Sequence, residues 1–321
     1  MQPDGARHEA RRLAPRRLRP YSLLLVGGIV APPALAQHNR SLQFTQQLEQ
    51  AVALAKQSDR PLLCYVLNRG RRDNDDRRQR HSRMLRDPRV QRAASRFICV
   101  EVATPQHADL AAKWELEPDA HRRFVFVTPS GDALLSRYLE NEDTFVQAAD
   151  QAYESYLAQV YDERLGPALA NREAPAREIL QALRRVRSLQ VEEADFAVCD
   201  LLRRPALSAE LRRECFATLA VLSTPPAVDA LLSLSRAEPA ALAALADCTP
   251  AGAERLLEAL VGDDDALRGR AYEAIVKICP PSRPKGARFW QTADREAQRQ
   301  EVGRIRAHVR ACAAAWRAAP Q

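Results

Sequence analysis

The feature that most constrains the fold is a change in hydrophobic periodicity near Tyr161. Before it, continuous apolar runs such as residues 62–67 alternate with stretches of helical spacing, which is typical of buried strands and the helices that cover them. Beyond it, only helical spacing remains. At 321 residues the chain is long enough for two domains. The pattern predicts an α/β domain over residues 40–160 and an all-α domain over residues 161–321.

The first domain is predicted to have the element order α-β-α-β-α-β-β-α. Its first helix is indicated by apolar residues that share one helical face: Phe44, Leu48, Ala51, Val52 and Ala55. A second helix is indicated by Met84, Leu85, Val90 and Ala94. The predicted strands are 62–67, 97–102, 124–127 and 133–138. Parallel strands joined by helices and followed by a hairpin make a mixed sheet covered by helices.

Four segments of this domain carry a resemblance to a known family. They are Asp59-Arg60-Pro61-Leu62-Leu63, Leu85-Arg86-Asp87-Pro88-Arg89-Val90, Phe97-Ile98-Cys99-Val100 and Phe124-Val125-Phe126-Val127-Thr128-Pro129-Ser130-Gly131. Together they resemble an exported thioredoxin-like domain. The resemblance covers residues 40–160 and implies the corresponding α/β fold.

This chain departs from the family at both positions that carry its chemistry. The family places Cys-x-x-Cys just after the strand that ends here at Leu67, but residues 68–76 contain no sulfur. The family also has a cis-proline before the strand that begins at Phe124, where this chain has Arg122 and Arg123. Because a dithiol reaction needs an activated thiol, no dithiol exchange is expected at this site.

The segment 68–83 carries seven arginines and three aspartates. One hypothesis is an anion or acidic-peptide pocket, because guanidinium groups bind carboxylates and phosphates in bidentate geometry. Its residues would be Arg71, Arg72, Arg122 and Arg123. The alternative is a solvated loop with internal Arg–Asp pairs. A metal site is not predicted, since no ligand spacing supports one built from Asp73, Asp75, His81 and His121.

The seven cysteines are too far apart for a CxxC motif: Cys64, Cys99, Cys199, Cys215, Cys248, Cys279 and Cys312. Each lies among apolar neighbours, which favours buried free thiols, although export would permit disulfides. An unusual thiol-redox activity through Cys64 or Cys99 is the alternative. It requires an exposed thiol of low pKa.

The second domain contains an internal repeat. Residues 224–232, which begin Thr-Pro, are similar to residues 249–257, which also begin Thr-Pro. About three units over 191–279 resemble short HEAT-type (PBS-lyase-like) repeats, which stack into a solenoid with one shared core. The resemblance implies that Asp265 and Arg268 bridge successive units. A long helix over 294–318 is expected to cap the array.

The N-terminus is predicted to be a secretory signal peptide over residues 1–36, with cleavage between Ala36 and Gln37. Its apolar stretch is too short to cross a membrane, so no stable membrane span is expected after cleavage. The first 36 residues carry six arginines against two acidic residues, so their removal lowers the formal net charge from +7 to +3. The weaker charge argues against a nucleic-acid partner.

These observations favour a non-catalytic scaffold, exported to the periplasm or secreted, that binds another protein and needs no cofactor. HEAT-type arrays usually present a surface to a protein partner. The alternatives are a thiol-redox protein, and an enzyme or binder of anionic ligands that uses the loop 68–83.

Overall fold

The computed structural model describes residues 42–67, 75–103, 106–116 and 123–318. The predicted signal peptide lies outside the described residues. Residues 42–160, here called the sheet part, contain four strands and five helices among the described segments. In chain order they are α1 (Leu48–Ser58), β1 (Leu62–Leu67), α2 (Asp75–Met84), α3 (Pro88–Ser95), β2 (Ile98–Ala103), α4 (Ala108–Lys113), β3 (Arg123–Val127), β4 (Ala133–Arg137) and α5 (Glu142–Val160).

The strands form one mixed sheet in the order β2-β1-β3-β4. Strand β1 is parallel to β2 and antiparallel to β3, and β3 is antiparallel to β4. Both faces are covered, which explains why β1 is apolar at every position. Helices α2, α3 and α5 pack on one face, and α1 and α4 pack on the other.

Two local predictions in this part were wrong. Helix α1 begins at Leu48, and Phe44 precedes it in an extended segment whose Thr45 pairs with Val100. The Phe44 ring contacts Tyr65, with the ring centroids 5.3 Å apart. The single helix predicted around Met84 and Val90 is two helices, because Asp87 caps α3 and Pro88 occupies its first turn.

Residues 161–318, here called the helical array, are helical in every regular element longer than three residues that the structure describes. A π-helical turn, Tyr161–Leu165, joins α5 to α6 (Gly166–Ala170), so one helical path leads from the sheet part into the array. The remaining helices are α7 (Ala176–Leu189), α8 (Asp195–Leu202), α9 (Ala209–Leu222), α10 (Pro225–Leu234), α11 (Pro239–Ala246), α12 (Pro250–Ala259), α13 (Asp265–Ile278), α14 (Ala287–Thr292) and α15 (Arg295–Ala318). The predicted order of an α/β part and then a helical part is confirmed at this level.

The helical array has two layers. Helices α8, α10, α12 and α15 are consecutive neighbours in one layer, and α9, α11 and α13 are neighbours in the other. Within each consecutive pair, α8 packs on α9, α10 on α11 and α12 on α13. The layers enclose one continuous apolar core. A helical pair exposes an apolar face when alone, so each unit depends on its neighbours for burial.

Polar contacts between successive units recur at nearly constant spacing. The Thr249 N–H donates to Ser223 Oγ (2.8 Å), and Arg255 binds Asp229 through two nitrogens (2.7 and 2.8 Å); both pairs are 26 residues apart. Arg212 binds Glu238 (2.6 Å), again at a separation of 26 residues. This spacing agrees with the internal similarity between residues 224–232 and 249–257, which form the starts of α10 and α12.

A close approach between α10 and α12 predicts the effect of one substitution. A Cβ on Gly252 of α12 would lie 3.3 Å from the Val228 Cγ2 of α10 and 3.1 Å from the Ser223 Cβ just before α10. We therefore expect Gly252→Ala to lower the free energy of unfolding by about 1–2 kcal/mol in urea denaturation. In the matched control, Gly269→Ala, nothing lies within 4 Å of the added carbon. That change should raise stability slightly through helix propensity, and equal losses for both would contradict the packing described.

Candidate functional site

The structure describes one of the four arginines of the predicted anion site. Arg123 begins β3 opposite Val66, at the sheet edge where β1 and β2 both end, and its side chain is partly exposed. Arg71, Arg72 and Arg122 lie outside the described residues. The convergence of the four arginines therefore stays a prediction.

His81, the one described side chain of the metal site considered above, lies in an aromatic cluster. It is 2% exposed, and its Nδ1 lies 3.2 Å from the Tyr65 hydroxyl oxygen. Its ring stacks on Phe124, with the centroids 5.7 Å apart. Asp73, His121 and the Asp75 side chain lie outside the described part. Within the described part, no group of three or more His, Cys, Asp or Glu side chains is arranged to hold a metal ion.

The thiols considered for redox chemistry lie on opposite faces of the sheet. Cys64 packs with α1, whereas Cys99 packs against the core under α3 and α5. Burial raises the pKa of Cys64 far above its ordinary value and the pKa of Cys99 to about 12. Since the thiolate is the reactive form, neither position suits a nucleophilic cysteine. All seven cysteines are free thiols.

Asp265 and Arg268, predicted to bridge successive repeats, form an ion pair within α13. Arg268 also donates to the Gly262 carbonyl oxygen (2.9 Å), and its side chain is 3% exposed. Both contacts lie within one helical pair. Residues near these positions do connect units, because Asp264 pairs with Arg236 of the preceding unit. A bridging role for Asp265 and Arg268 themselves stays a prediction.

A charge cluster that the sequence did not indicate joins the sheet part to the helical array. Asp59 ends α1 in the left-handed conformation (φ 50°, ψ 49°). Its carboxylate accepts from Arg164 Nη2 (2.6 Å) and from Arg185 Nε (3.0 Å). The Tyr156 hydroxyl donates to its carbonyl oxygen (2.6 Å). These partners lie on α5, on the π-helical turn and on α7, so one residue links three segments.

The electrostatics of this cluster favour the ionised carboxylate. Burial raises the pKa of Asp59, but the hydrogen bond from Arg164 and the positive charge of Arg185 outweigh it, so the pKa lies below its usual value. Burial, followed by the charge of Asp59, raises the pKa of Tyr156. The tyrosine is thus a hydrogen-bond donor at any physiological pH.

A cleft of about 710 Å³ adjoins this cluster and is lined by Lys56, Glu178 and Arg184 in addition to Asp59, Arg164 and Arg185. Arg164 and Arg185 already bind Asp59, and Arg184 faces Glu214 at 3.9 Å. The charges of Arg164 and Arg185 are therefore satisfied within the chain. This arrangement favours a structural role, fixing the sheet part against the array, over the binding of an anion.

A second cleft offers a better binding surface. We call it the arginine-rimmed groove, and it has a volume of about 790 Å³. It lies between the end of α6, the start of α7 and the loop that joins α8 to α9. Its apolar lining includes Leu169, Ala174, Ile179, Ala197, Leu207 and Leu211, and its charged residues are Arg172, Arg203, Arg204 and Asp200.

The three arginines of the groove differ in whether their charge is bound within the chain. Arg204 donates to the carbonyl oxygens of Leu169 (2.6 Å) and Asn171 (3.2 Å), so it holds the end of α6 against α8. Arg203 pairs with Asp200, but the two side chains are 79% and 71% exposed, and such pairs are weak. Arg172 is exposed. Arg172 and Arg203 therefore leave positive charge at the rim.

An exposed aromatic side chain stands beside the groove. Phe196 on α8 is 67% exposed, the most exposed large hydrophobic residue in the described part of the chain. It adjoins Ala197 in the sequence and precedes Asp200 by one helical turn, and both of these residues line the groove. An apolar floor, an exposed aromatic ring and a basic rim are the elements of a peptide-binding surface.

No family profile, curated protein or solved structure matches this chain. None of the described helices combines the length and apolar character needed to cross a membrane.

Proposed function

We propose that the protein is an exported scaffold that binds another protein, built from a redox-inactive thioredoxin-like domain and a HEAT-type helical array. The observation that carries the proposal is the arginine-rimmed groove with Phe196 beside it. The partner that fits is a polypeptide segment with apolar side chains flanked by carboxylates. Apolar groups would occupy the floor, and carboxylates would pair with Arg172 and Arg203.

The sheet supports the thioredoxin-like part of this proposal. Two parallel strands followed by an antiparallel hairpin, with helices on both faces, are what the resemblance implies. The segment after Leu67 lacks cysteine, and the pKa values of Cys64 and Cys99 are raised by burial. A domain of this kind serves as a structural unit that positions the helices.

The layered helices support the HEAT-type part. Units of two helices repeat at a spacing of about 26 residues and share one core. The Asp59 cluster fixes α7, which packs on α9 of the first unit, to the sheet part. A groove built on such a fixed frame is preorganised, which lowers the cost of ordering it on binding.

The test is a binding titration with a synthetic peptide. The probe is a fluorescently labelled peptide with central leucine and phenylalanine residues flanked by glutamates, measured by anisotropy. We expect saturable binding that weakens with added salt. Arg203→Glu should weaken binding of the peptide about tenfold, because it places a carboxylate beside the glutamates of the peptide. Phe196→Ala should weaken binding by more than this, because it removes the exposed ring.

Two controls make this test specific. Arg299→Glu makes the same charge change at an exposed residue of α15, remote in sequence from every lining residue, and should leave the affinity unchanged. A matched peptide with lysines in place of the glutamates should not bind. Equal binding of both peptides, or equal loss in the Arg203 and Arg299 variants, would refute the assignment of the groove.

A further inference from the structure

The last helix of the array carries an unbalanced positive charge. Residues 297–318 of α15 contain five arginines and a single acidic residue. That residue, Glu301, is 5% exposed and is bound by Arg304 of the same helix (2.6 Å). The exposed surface of this part of α15 therefore presents arginines and no carboxylate of its own.

Four of these arginines lie along one side of the helix. Their spacings of seven, four and seven residues keep them together, because a step of four or seven residues returns close to the same side of an α-helix. We call this set the arginine row. It extends for about 27 Å along the helix axis. Its members are Arg299, Arg306, Arg310 and Arg317.

The two central members of the arginine row have no counter-ion. Arg306 and Arg310 form no ion pair with any residue that the structure describes, although they line a cleft of about 350 Å³ together with Glu254 and Glu258. Each of these carboxylates is bound by another arginine. The charges of Arg306 and Arg310 are therefore available to a partner outside the chain.

The surface beside the arginine row is open and made of small residues. Its exposed members on α15 include Gly303, Ala307, Ala311 and Ala314. One larger apolar side chain adjoins the row: Val261 is 56% exposed and lines the same cleft as Arg306 and Arg310. Since arginine side chains are long, their guanidinium groups can extend beyond this low surface. The surface thus offers charge and few apolar groups for close packing.

We propose that the arginine row binds the phosphate groups of an anionic lipid bilayer, so that α15 lies on the membrane surface without crossing it. Guanidinium groups bind phosphate oxygens in bidentate geometry, and each basic residue near an anionic bilayer adds to the attraction. Val261 enters the headgroup region beside the row. A protein partner fits this surface less well, because protein interfaces depend on large aromatic or apolar anchors. The inference does not depend on the arginine-rimmed groove, since no member of the row lines that groove.

The experiment measures cosedimentation of the mature protein, without residues 1–36, with lipid vesicles. Vesicles that contain phosphatidylglycerol and phosphatidylcholine should bind the protein, and added salt should weaken this binding. Vesicles of phosphatidylcholine alone should leave the protein in the supernatant. Equal binding to both kinds of vesicle would overturn the proposal, and so would binding to neither.

A double variant tests whether the arginine row carries the binding. Arg306→Glu with Arg310→Glu should weaken binding to the anionic vesicles at least about tenfold, because it places two carboxylates against the phosphates. The matched control, Arg137→Glu with Arg213→Glu, makes the same change of net charge at exposed residues of β4 and α9 and should weaken binding less than about threefold. Equal losses in the two double variants would refute the row as the binding surface. If circular dichroism shows that either variant is unfolded, glutamine replaces glutamate at both positions.

An acidic polypeptide is the competing partner for the arginine row, and polyglutamate serves as its probe. At the same concentration of negative charge, polyglutamate should bind the protein much more weakly than the phosphatidylglycerol vesicles do. Tight binding of polyglutamate that is lost in the Arg306 and Arg310 double variant would assign the row to an acidic protein and overturn the assignment to lipid.

Discussion

Asp59→Asn should lower the free energy of unfolding by about 2–3 kcal/mol, because it leaves the guanidinium groups of Arg164 and Arg185 without their carboxylate. The loss is smaller than for a fully buried ion pair, since the Arg164 side chain is 53% exposed and solvent screens its charge. Asparagine tolerates the left-handed backbone of this position. The substitution therefore removes the charge while the turn is kept. Urea denaturation at neutral pH is the measurement.

The loss of stability caused by Asp59→Asn should depend on pH in a definite direction. The pKa of Asp59 is lower in the folded protein than its ordinary value of 3.8. The ionised Asp59 carboxylate therefore makes its full contribution to stability above pH 3.8, the ordinary pKa. This contribution is lost as the pH falls through the lower pKa of the folded state. The stability difference between the native protein and Asp59→Asn should stay constant at neutral pH and shrink in acid below the ordinary value.

A matched control uses an exposed aspartate that also faces an arginine. Asp263 lies 3.4 Å from Arg295, but its side chain is 99% exposed. Asp263→Asn should change the free energy of unfolding by less than about 0.5 kcal/mol. If Asp59→Asn costs no more than this control, the Asp59 cluster does not fasten the sheet part to the array.

Phe124→Ala should destabilise the protein more than Asp59→Asn does. We expect it to lower the free energy of unfolding by about 3–5 kcal/mol, because it leaves a cavity in the centre of the sheet part. The ring is 0% exposed, stacks on Tyr65 at 4.8 Å and meets the edge of Phe145 at 5.3 Å. These aromatic contacts add to the loss of buried area. Thermal and urea denaturation followed by circular dichroism would measure the loss.

Phe196→Ala is the control for this change, since it removes the same ring from a side chain that is 67% exposed. We expect a change of less than about 0.5 kcal/mol. A large loss from Phe196→Ala would mean that the ring is buried in solution and does not serve a partner. A small loss from Phe124→Ala would contradict the packing of the sheet part.

The parts of the fold that the sequence predicted are those set by local patterns. The apolar run of β1 and the Thr-Pro starts of α10 and α12 appear at the predicted positions. The prediction that Phe44 belongs to the first helix was wrong. Its spacing from Leu48 fits a helix, but its ring contacts Tyr65 on β1, which no local pattern indicates. Helices α6 and α14 were missed because each is short, with five and six residues.

The candidate site could not be predicted because its residues meet only in three dimensions. Asp59 and Arg164 are 105 residues apart, and the sequence around Asp59 indicates only the end of a helix. The groove combines the end of α6 with the loop after α8, which no short motif connects. Phe196 lies among the apolar residues Val198 and Leu201 in the sequence, which gives no sign that its ring is exposed. Its exposure depends on how α8 packs against α6, α9 and α10, which are distant in the sequence or follow later in the chain.

The most direct test of the central claim is hydrogen–deuterium exchange with and without a saturating amount of the acidic apolar peptide. We predict slower exchange at residues 169–176 and 197–211, which surround the arginine-rimmed groove, and unchanged exchange in β1, β2 and β3. Slower exchange at the sheet edge near Arg123, with none at the groove, would contradict this prediction and place binding in the sheet part.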